Sequence, residues 1–245
     1  MNVKTVYFTD GTSDGFYTAV FDAYKDESAY LTSERFRQGS LCERVTCVLA
    51  DTEKATRVLR KVKSIDANAA YDIELVLRSR ETDREQVAFL YVRELVKTGR
   101  SVRGKLSVEA VRRMMDLRAR VSYEAHRMKG FLRFSETADG VLYSPCSPDN
   151  DIIDLLTPHF IARLASPFVI HDVWRGKAAL YDGRECIVAP VDSAEIVESE
   201  RERIFSELWK KYYKTVNIPS RKNVRQQKGY MPVRYWGFLT ENPSE

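Results

Sequence analysis

The side chains best suited to chemistry in this sequence are concentrated near its carboxyl end. The block of residues 221–236 contains Arg221, Asn223, Arg225, Gln227, Arg234, Tyr235 and Trp236. Arginine pairs with guanine or phosphate, asparagine and glutamine pair with adenine, and aromatic rings stack on exposed bases. These side chains are poor nucleophiles and poor general bases. We therefore predict that this segment, called the C-terminal block below, binds nucleic acid rather than catalyses a reaction.

Charge is unevenly distributed along the chain, although the net charge is only +4. Residues 97–133 contain eleven Lys or Arg and three Asp or Glu, and residues 201–236 contain ten and two, so each segment carries +8. The rest of the chain carries −12. Because Lys and Arg release counterions from phosphates, such segregation is typical of a localised polyanion-binding site.

The first basic segment contains a predicted amphipathic helix over residues 107–129, because apolar side chains recur there at spacings of three and four. Acidic and basic side chains alternate along its other side, from Glu109 to Arg127. This alternation predicts ion pairs within the helix, which would neutralise much of its charge. The cations that precede the helix lack such partners, so we predict phosphate contacts for Lys97, Arg100, Arg103 and Lys105.

A different chemistry is possible where His171-Asp172 follows one predicted strand and Asp182 ends the next. If those strands pair, a carboxylate could orient the imidazole for general-base catalysis or bind a metal ion. The alternative is a histidine at a strand end and an ordinary Asp-Gly turn, and we favour that interpretation.

Asp10 and Asp14 lie in a Gly-rich turn between a predicted strand and a predicted helix. Such a turn can present backbone N–H groups to an anion. It contains no lysine, so it is not a Walker loop, and its carboxylates would repel phosphate unless a metal ion intervened. We favour a helix N-cap by Ser13 or Asp14, and we keep Asp10 and Asp14 as further catalytic candidates.

The spacing of cysteine and histidine predicts neither a cofactor nor a metal site. The sequence has no C-x-x-C, no C-x-x-x-C-x-x-C of the radical-SAM type, and three widely separated histidines.

The longest run without a charged residue, 140–148, has nine residues, whereas a membrane-spanning helix needs ~20. We therefore expect no membrane insertion and a cytoplasmic location.

The pattern of elements predicts an α+β fold, because helices predominate early and strands cluster late. Predicted helices cover residues 16–21, 52–62, 69–79, 85–98, 107–129, 152–164 and 193–214, the last capped by Ser193. Predicted strands cover residues 3–9, 44–50, 131–134, 141–143, 168–171, 177–181 and 186–189. The C-terminal block is too interrupted by Pro, Gly and Gln to predict regular structure.

Two parts of the chain differ in texture. Residues 1–103 predict a helix-rich α/β part. Residues 104–245 predict a part built on a mostly antiparallel sheet that is flanked by helices and carries the C-terminal block. The two parts could also form one continuous domain.

Several motifs together resemble those of one bacterial family. They are Tyr7 to Phe16, His126 to Phe134, Pro158 to Arg163, Ile170 to Asp172, Tyr181 to Gly183 and, most specific, Arg221 to Glu241. The chain therefore resembles, over essentially its whole length, a family of unknown function whose members are labelled DNA repair or DNA metabolism proteins. Such proteins are encoded beside a radical-SAM protein, and a similar domain is fused to a uracil-DNA glycosylase.

The resemblance implies work on DNA without specifying a reaction or any catalytic residue. Together with the basic segments it predicts a factor that binds single- or double-stranded DNA and assists a radical-SAM or glycosylase partner. Two alternatives stay open. One is a nucleic-acid-processing enzyme that uses Asp10, Asp14, His171 or Asp172, and the other is a protein–protein adaptor whose positive surface meets an acidic partner.

Overall fold

A computed structural model describes residues 4–34, 43–191, 196–221 and 223–241. The chain divides into two compact units, residues 1–123 (unit 1) and 124–245 (unit 2), and the division falls within a long helix. Each unit contains its own β-sheet.

Unit 1 is built on a three-stranded parallel sheet with the order β2-β1-β3. The strands are β1 (Lys4–Phe8), β2 (Ala29–Thr32) and β3 (Glu43–Cys47). The helices are α1 (Ser13–Ala23), α2 (Thr52–Ile65), α3 (Ala67–Leu77), α4 (Arg84–Thr98) and the first part of α5 (Glu109–Phe131). Parallel neighbours need a crossover connection, and α1 supplies it between β1 and β2. The core of the unit contains the fully buried Phe16, Leu31, Ile73, Phe89 and Leu95.

The turn between β1 and α1 is fixed by side chains that accept backbone hydrogen bonds. Thr12, rather than the predicted Ser13 or Asp14, is the N-cap of α1 and accepts the Gly15 N–H. The Asp10 carboxylate in turn accepts the N–H of Thr12 at 2.9 Å and its hydroxyl at 2.6 Å. A Cβ atom at residue 15 would lie 2.1 Å from this carboxylate, so any larger residue there would displace the Asp10 side chain.

Unit 2 is built on a five-stranded mixed sheet with the order β4-β5-β6-β7-β8. The strands are β4 (Ser135–Glu136), β5 (Leu142–Cys146), β6 (Phe168–Asp172), β7 (Lys177–Tyr181) and β8 (Cys186–Pro190). The helices are the end of α5, α6 (Ile153–Leu164), α7 (Glu200–Val216) and α8 (Val224–Tyr230), with 3-10 turns at Pro219–Arg221 and Val233–Phe238. Among these described strands only β5 and β6 pair in parallel, so the sheet is mostly antiparallel, as predicted.

The core of unit 2 lies between α6 and one face of this sheet. Phe160 of α6 and Phe168 of β6 place their ring centroids 6.5 Å apart, and Phe134 lies 4.9 Å and 5.9 Å from the two. Such tilted aromatic pairs each add about 0.5–1.5 kcal/mol beyond the area that they bury. The opposite face of the sheet carries Tyr143 and Val169, which are only partly buried.

The predicted α+β class is confirmed, and the three predicted late strands correspond to β6, β7 and β8. The strand predicted at residues 131–134 is wrong, because Phe131 ends α5 and the hairpin begins at Ser135. Across the described residues no helix is both long and apolar enough to cross a membrane.

The expectation of irregular structure in the C-terminal block is also wrong. Asn223 caps α8 by accepting the N–H of Gln226 at 3.0 Å, and this cap stabilises the start of a helix of only seven residues. The cap predicted at Ser193 lies outside the described residues, and α7 begins at Glu200 after Ser199, whose hydroxyl accepts the N–H of Glu202.

We predict that the Asp72 carboxylate stabilises unit 1, because it is completely buried between two cations. Its carboxylate lies 2.7 Å from Nε of Arg103 and 3.0 Å from Nε of Arg118. Asp72→Asn removes the negative charge that both cations face and should lower the free energy of unfolding by roughly 2–4 kcal/mol in chemical denaturation. The control Asp116→Asn, at a half-exposed carboxylate, should change it by less than about 1 kcal/mol. Equal effects of both substitutions would contradict this role of Asp72.

Candidate nucleic-acid interface

The end of the C-terminal block is anchored to unit 2 by one buried carboxylate, Glu124 of α5. The Tyr235 hydroxyl donates to its Oε1 at 2.6 Å, and the Arg234 guanidinium lies 3.3 Å from the same oxygen. The backbone N–H groups of Asp149 and Asn150 donate to the two carboxylate oxygens at 2.8 and 2.9 Å. Glu124 therefore joins α5, the loop after β5 and the C-terminal block.

The electrostatics of this anchor are consistent with an ionised carboxylate. Burial alone would raise the pKa of Glu124, but the hydrogen bonds from Tyr235 and from the Asp149 and Asn150 backbone hold that pKa below its usual range. Burial and the hydrogen bond to Glu124 raise the pKa of the Tyr235 phenol. Both shifts favour a negative carboxylate that accepts from a neutral phenol at neutral pH.

Three side chains that we predicted to bind nucleic acid already have protein partners in this anchor. Arg234 lies 2.6 Å from the Asp149 carboxylate, and its guanidinium carbon stands 4.6 Å from the centre of the Tyr235 ring. Tyr235 is buried. Trp236 donates its indole N–H to the Met231 carbonyl at 3.0 Å. Arg234 and Tyr235 therefore hold the block against Glu124, whereas the Trp236 hydrogen bond lies within the block itself.

The second half of α7 and the described chain from there to the anchor are basic and mostly exposed. Neither α7 nor α8 contributes a buried residue. We call the following set the basic-aromatic surface: Lys210, Lys211, Tyr212, Lys214, Arg221, Arg225, Lys228 and Tyr230. Lys222, within the same stretch of sequence, lies outside the described residues.

The cations of the basic-aromatic surface are not neutralised by neighbouring carboxylates. Residues 208–240 contain eight Lys or Arg and no Asp or Glu. Within the described ranges, none of the six cations of the surface makes a side-chain hydrogen bond or an ion pair. Arg221 and Arg225 thus differ from Arg234, although all three belong to the C-terminal block. Uncompensated cations of this kind are available to phosphates.

Aromatic rings are interspersed with these cations. Tyr230 is 73 % exposed and Tyr212 is 56 % exposed. Trp209 lies next to Tyr212, with ring centroids 5.6 Å apart, and donates its indole N–H to Glu241 at 3.1 Å. Trp209 is therefore held by Glu241, whereas Tyr230 and Tyr212 are largely exposed to solvent.

Two polar residues that we predicted to contact bases have different environments. Asn223 is the N-cap of α8, so its side-chain oxygen is already used within the fold. Gln227 is half-buried, and its backbone carbonyl accepts the Met231 N–H at 2.8 Å.

The second predicted group of phosphate ligands belongs to unit 1. Arg103 is paired with buried Asp72, and Lys105 donates to the Thr98 hydroxyl at 3.4 Å. Arg100 is exposed and, over the residues that the structure describes, makes neither a side-chain hydrogen bond nor an ion pair. Lys97, the fourth predicted ligand, is also exposed and forms no ion pair among the described residues. Of these four described residues, Arg103 alone has its charge paired with a carboxylate.

The first catalytic candidates, His171 and Asp172, point to opposite faces of β6 because they are consecutive residues of one strand. Nδ1 of His171 lies 2.8 Å from the Tyr143 hydroxyl, while Nε2 is buried and has no hydrogen-bond partner among the described atoms. Asp172 is fully buried and pairs with Arg175 at 2.7 Å. The arrangement fits structural roles in the sheet better than an acid–base pair.

Asp182 does not orient His171, contrary to the possibility raised from the sequence. In the antiparallel pairing of β6 and β7, Tyr181 lies opposite Phe168, so Asp182 follows at the far end of β6 from His171. Its carboxylate instead accepts the backbone N–H groups of Arg184 and Glu185 within the turn.

The other pair of catalytic candidates lies in unit 1. Asp10 uses its carboxylate to hold Thr12, as described above. Asp14, in the first turn of α1, makes a long contact of 3.5 Å with the Thr52 hydroxyl.

Sequence reasoning missed the role of Glu124 because it assigned the charges of α5 to ion pairs within the helix. One such intrahelical cluster is present, in which Arg112 pairs with Glu109 and Asp116. Arg113 and Arg120 pair instead with Glu81, in the loop before α4. No local pattern distinguishes these cases, because the partners are distant in sequence.

Comparison with known proteins connects the chain to one family. The model of the family described as "Domain of unknown function (DUF4130)" matches residues 82–241. The matched range extends from α4 to the end of the anchored block and includes the whole basic-aromatic surface. A search of curated proteins found no match.

The anchor predicts a pH-dependent effect of Glu124→Gln. The substitution should lower the stability of unit 2 by roughly 1.5–3 kcal/mol at pH 7, because it replaces an ionised acceptor of several hydrogen bonds. Since the pKa of folded Glu124 is depressed, its contribution is complete above the unfolded-state pKa of about 4.3 and is lost as pH falls through the lower folded-state pKa.

Urea unfolding at several pH values provides the measurement. The difference between the wild type and Glu124→Gln should narrow below about pH 4. Glu109→Gln, at an exposed position of the same helix, serves as the control and should have little effect at any pH. A difference that persists unchanged at pH 3 would contradict the ionised anchor.

Proposed function

Because this chain belongs to the DUF4130 family of domains of unknown function, we propose its function from its surface: it binds single-stranded nucleic acid through the basic-aromatic surface of α7 and α8. The observation that carries this proposal is the combination of six unpaired cations with exposed tyrosine rings in one acid-free stretch, taken over the residues that the structure describes. Cations that follow a phosphate backbone and rings that stack on bases are the two components of single-strand binding.

The exposure of α7 supports this proposal. A 17-residue helix that contributes no buried residue gains little stability from packing. Apolar and aromatic side chains that stay exposed on such a helix are characteristic of a binding site. Tyrosine is well suited to such a site, because its ring stacks on a base while its hydroxyl stays hydrated.

The anchor supports the proposal in a different way. The described residues between α7 and the part of the C-terminal block that Glu124 holds are mostly exposed. A segment that is fixed at both ends loses less conformational entropy on binding than a free tail does. We infer that the anchor positions Arg221, Arg225 and Tyr230 for the ligand without contacting it.

DNA is the nucleic acid that we propose, from the resemblance to the family labelled DNA repair and DNA metabolism. The same resemblance supports a role as an accessory or substrate-recognition factor for a radical-SAM or glycosylase partner. Direct catalysis has less support, because His171 and Asp172 are committed to Tyr143 and Arg175.

One observation favours protein docking as a second candidate function. Ile204 and Leu208 of α7 are each more than half exposed. Aliphatic side chains contribute little to base stacking but pack well against a protein partner. Association with a radical-SAM protein of the kind that the resemblance implies, if it survives nuclease treatment, would support this alternative.

The cation part of the proposal predicts a change in salt dependence. Arg221→Ala and Lys211→Ala should each weaken binding to a labelled oligothymidylate, and each should reduce the slope of log K against log salt by about 0.7 for every phosphate that the variant no longer neutralises. Arg112→Ala is the matched control, because this exposed arginine already pairs with Glu109. Fluorescence anisotropy across a salt series gives the slopes, and binding that does not depend on salt would contradict the proposal.

The aromatic part of the proposal predicts weaker binding with an unchanged salt dependence. Tyr230→Ala should weaken oligothymidylate binding by about 1–3 kcal/mol without changing the salt slope, because a stacked ring contacts no phosphate. Tyr71→Ala, at an exposed tyrosine of α3, provides the control and should bind like the wild type. An equal loss in both variants, or no loss in Tyr230→Ala, would exclude stacking at this position.

A further inference from the structure

Unit 1 contains an open groove between α1, α2 and α4, with a volume of about 490 Å³. We call it the α1–α2–α4 groove. It is lined by Val20, Phe21, Asp22, Tyr24, Lys25, Arg57, Val58, Lys61, Val62, Val92 and Val96. None of these residues belongs to the basic-aromatic surface, which lies in unit 2.

The floor of the groove is aliphatic. Val20, Val62 and Val92 are buried in the core of unit 1, and Val58 and Val96 are half-buried above them. Phe21 and Tyr24 stand at the edge and are each more than a third exposed. This lining suits branched apolar side chains of a ligand.

The rim of the groove is positively charged. Lys25, Arg57 and Lys61 are exposed, and in the described part of the chain none of them forms an ion pair. The carboxylate of the lining, Asp22, is neutralised by Lys54 at 2.8 Å. An approaching ligand therefore meets three uncompensated cations around an apolar floor.

We propose that the α1–α2–α4 groove binds an acidic amphipathic helix of a partner protein. In this recognition mode the apolar side chains of the helix, at spacings of three and four, occupy a hydrophobic groove. Its acidic flanks would pair with Lys25, Arg57 and Lys61. Complementary charge of this kind speeds association and excludes basic partners.

Two other classes of ligand fit the groove less well. A small ligand is usually buried over most of its surface, whereas this groove is open to solvent. A nucleic-acid base needs a free ring face for stacking, but Arg57 and Lys54 already stand 5.1 and 5.7 Å from the centre of the Phe21 ring. The valine floor itself contains no ring on which a base could stack.

The test uses the full-length protein and three labelled helical peptides. The first peptide places Leu at every third or fourth position and Glu at most others. The second replaces each Glu by Gln, and the third is a scrambled version of the first without the apolar stripe. Fluorescence anisotropy measures affinity, and methyl NMR shifts of the groove valines identify where the peptide binds.

The first peptide should bind more tightly than the other two and should shift the methyl signals of Val58 and Val96. Arg57→Glu and Lys61→Glu should each weaken its binding by about tenfold, because each replaces an attraction with a repulsion. Lys63→Glu, at an exposed position of α2 outside the groove, should not alter it. Circular dichroism of each variant checks that the fold is intact.

Four results would overturn the proposal. The first is no binding of the acidic peptide, and the second is equal binding of the Gln peptide. The third is displacement of the peptide by laurate at similar affinity, which would indicate a site for small amphiphiles. The fourth is displacement by oligothymidylate without valine shifts, which would place the peptide on the basic-aromatic surface.

Discussion

The arrangement of unit 2 depends on one buried carboxylate. Glu124 accepts hydrogen bonds from the loop after β5 and from Tyr235, which lies 111 residues further along the chain. A buried carboxylate without such partners would be strongly destabilising, so the folding of these stretches is coupled. The hydrogen bonds of Glu124 act over a few ångströms, but they fix the position of the C-terminal block and so of one end of the exposed segment that precedes it.

The sequence predicted the parts of the fold that depend on local patterns. Short apolar stretches separated by Arg175-Gly176 and Asp182-Gly183 were sufficient to locate β6, β7 and β8. The strand expected at residues 131–134 failed because Phe131 continues the apolar side of α5, and helical continuity outweighs a short mixed pattern. The α8 helix was missed because its stability depends on the Asn223 cap rather than on periodicity.

The candidate site could be predicted only in part, because composition identifies cations but not their partners. Arg221 and Arg234 belong to the same basic block and look equivalent in the sequence. In the structure Arg234 lies between Glu124 and Asp149, while Arg221 is exposed. Partners so distant in sequence leave no local signal, and so the division of one basic block into an anchored part and an exposed part required the fold.

Both of the surfaces that we propose for binding are positively charged. The side chains that lie among the cations distinguish the ligands of the two surfaces. On α7 and α8 two exposed tyrosines lie among the cations, and such rings suit flat, stackable bases. In the α1–α2–α4 groove they surround valines, which suit branched side chains. Each surface would exclude the ligand of the other by shape rather than by charge. The nucleic acid and the acidic helix that we propose as ligands would therefore bind at separate sites.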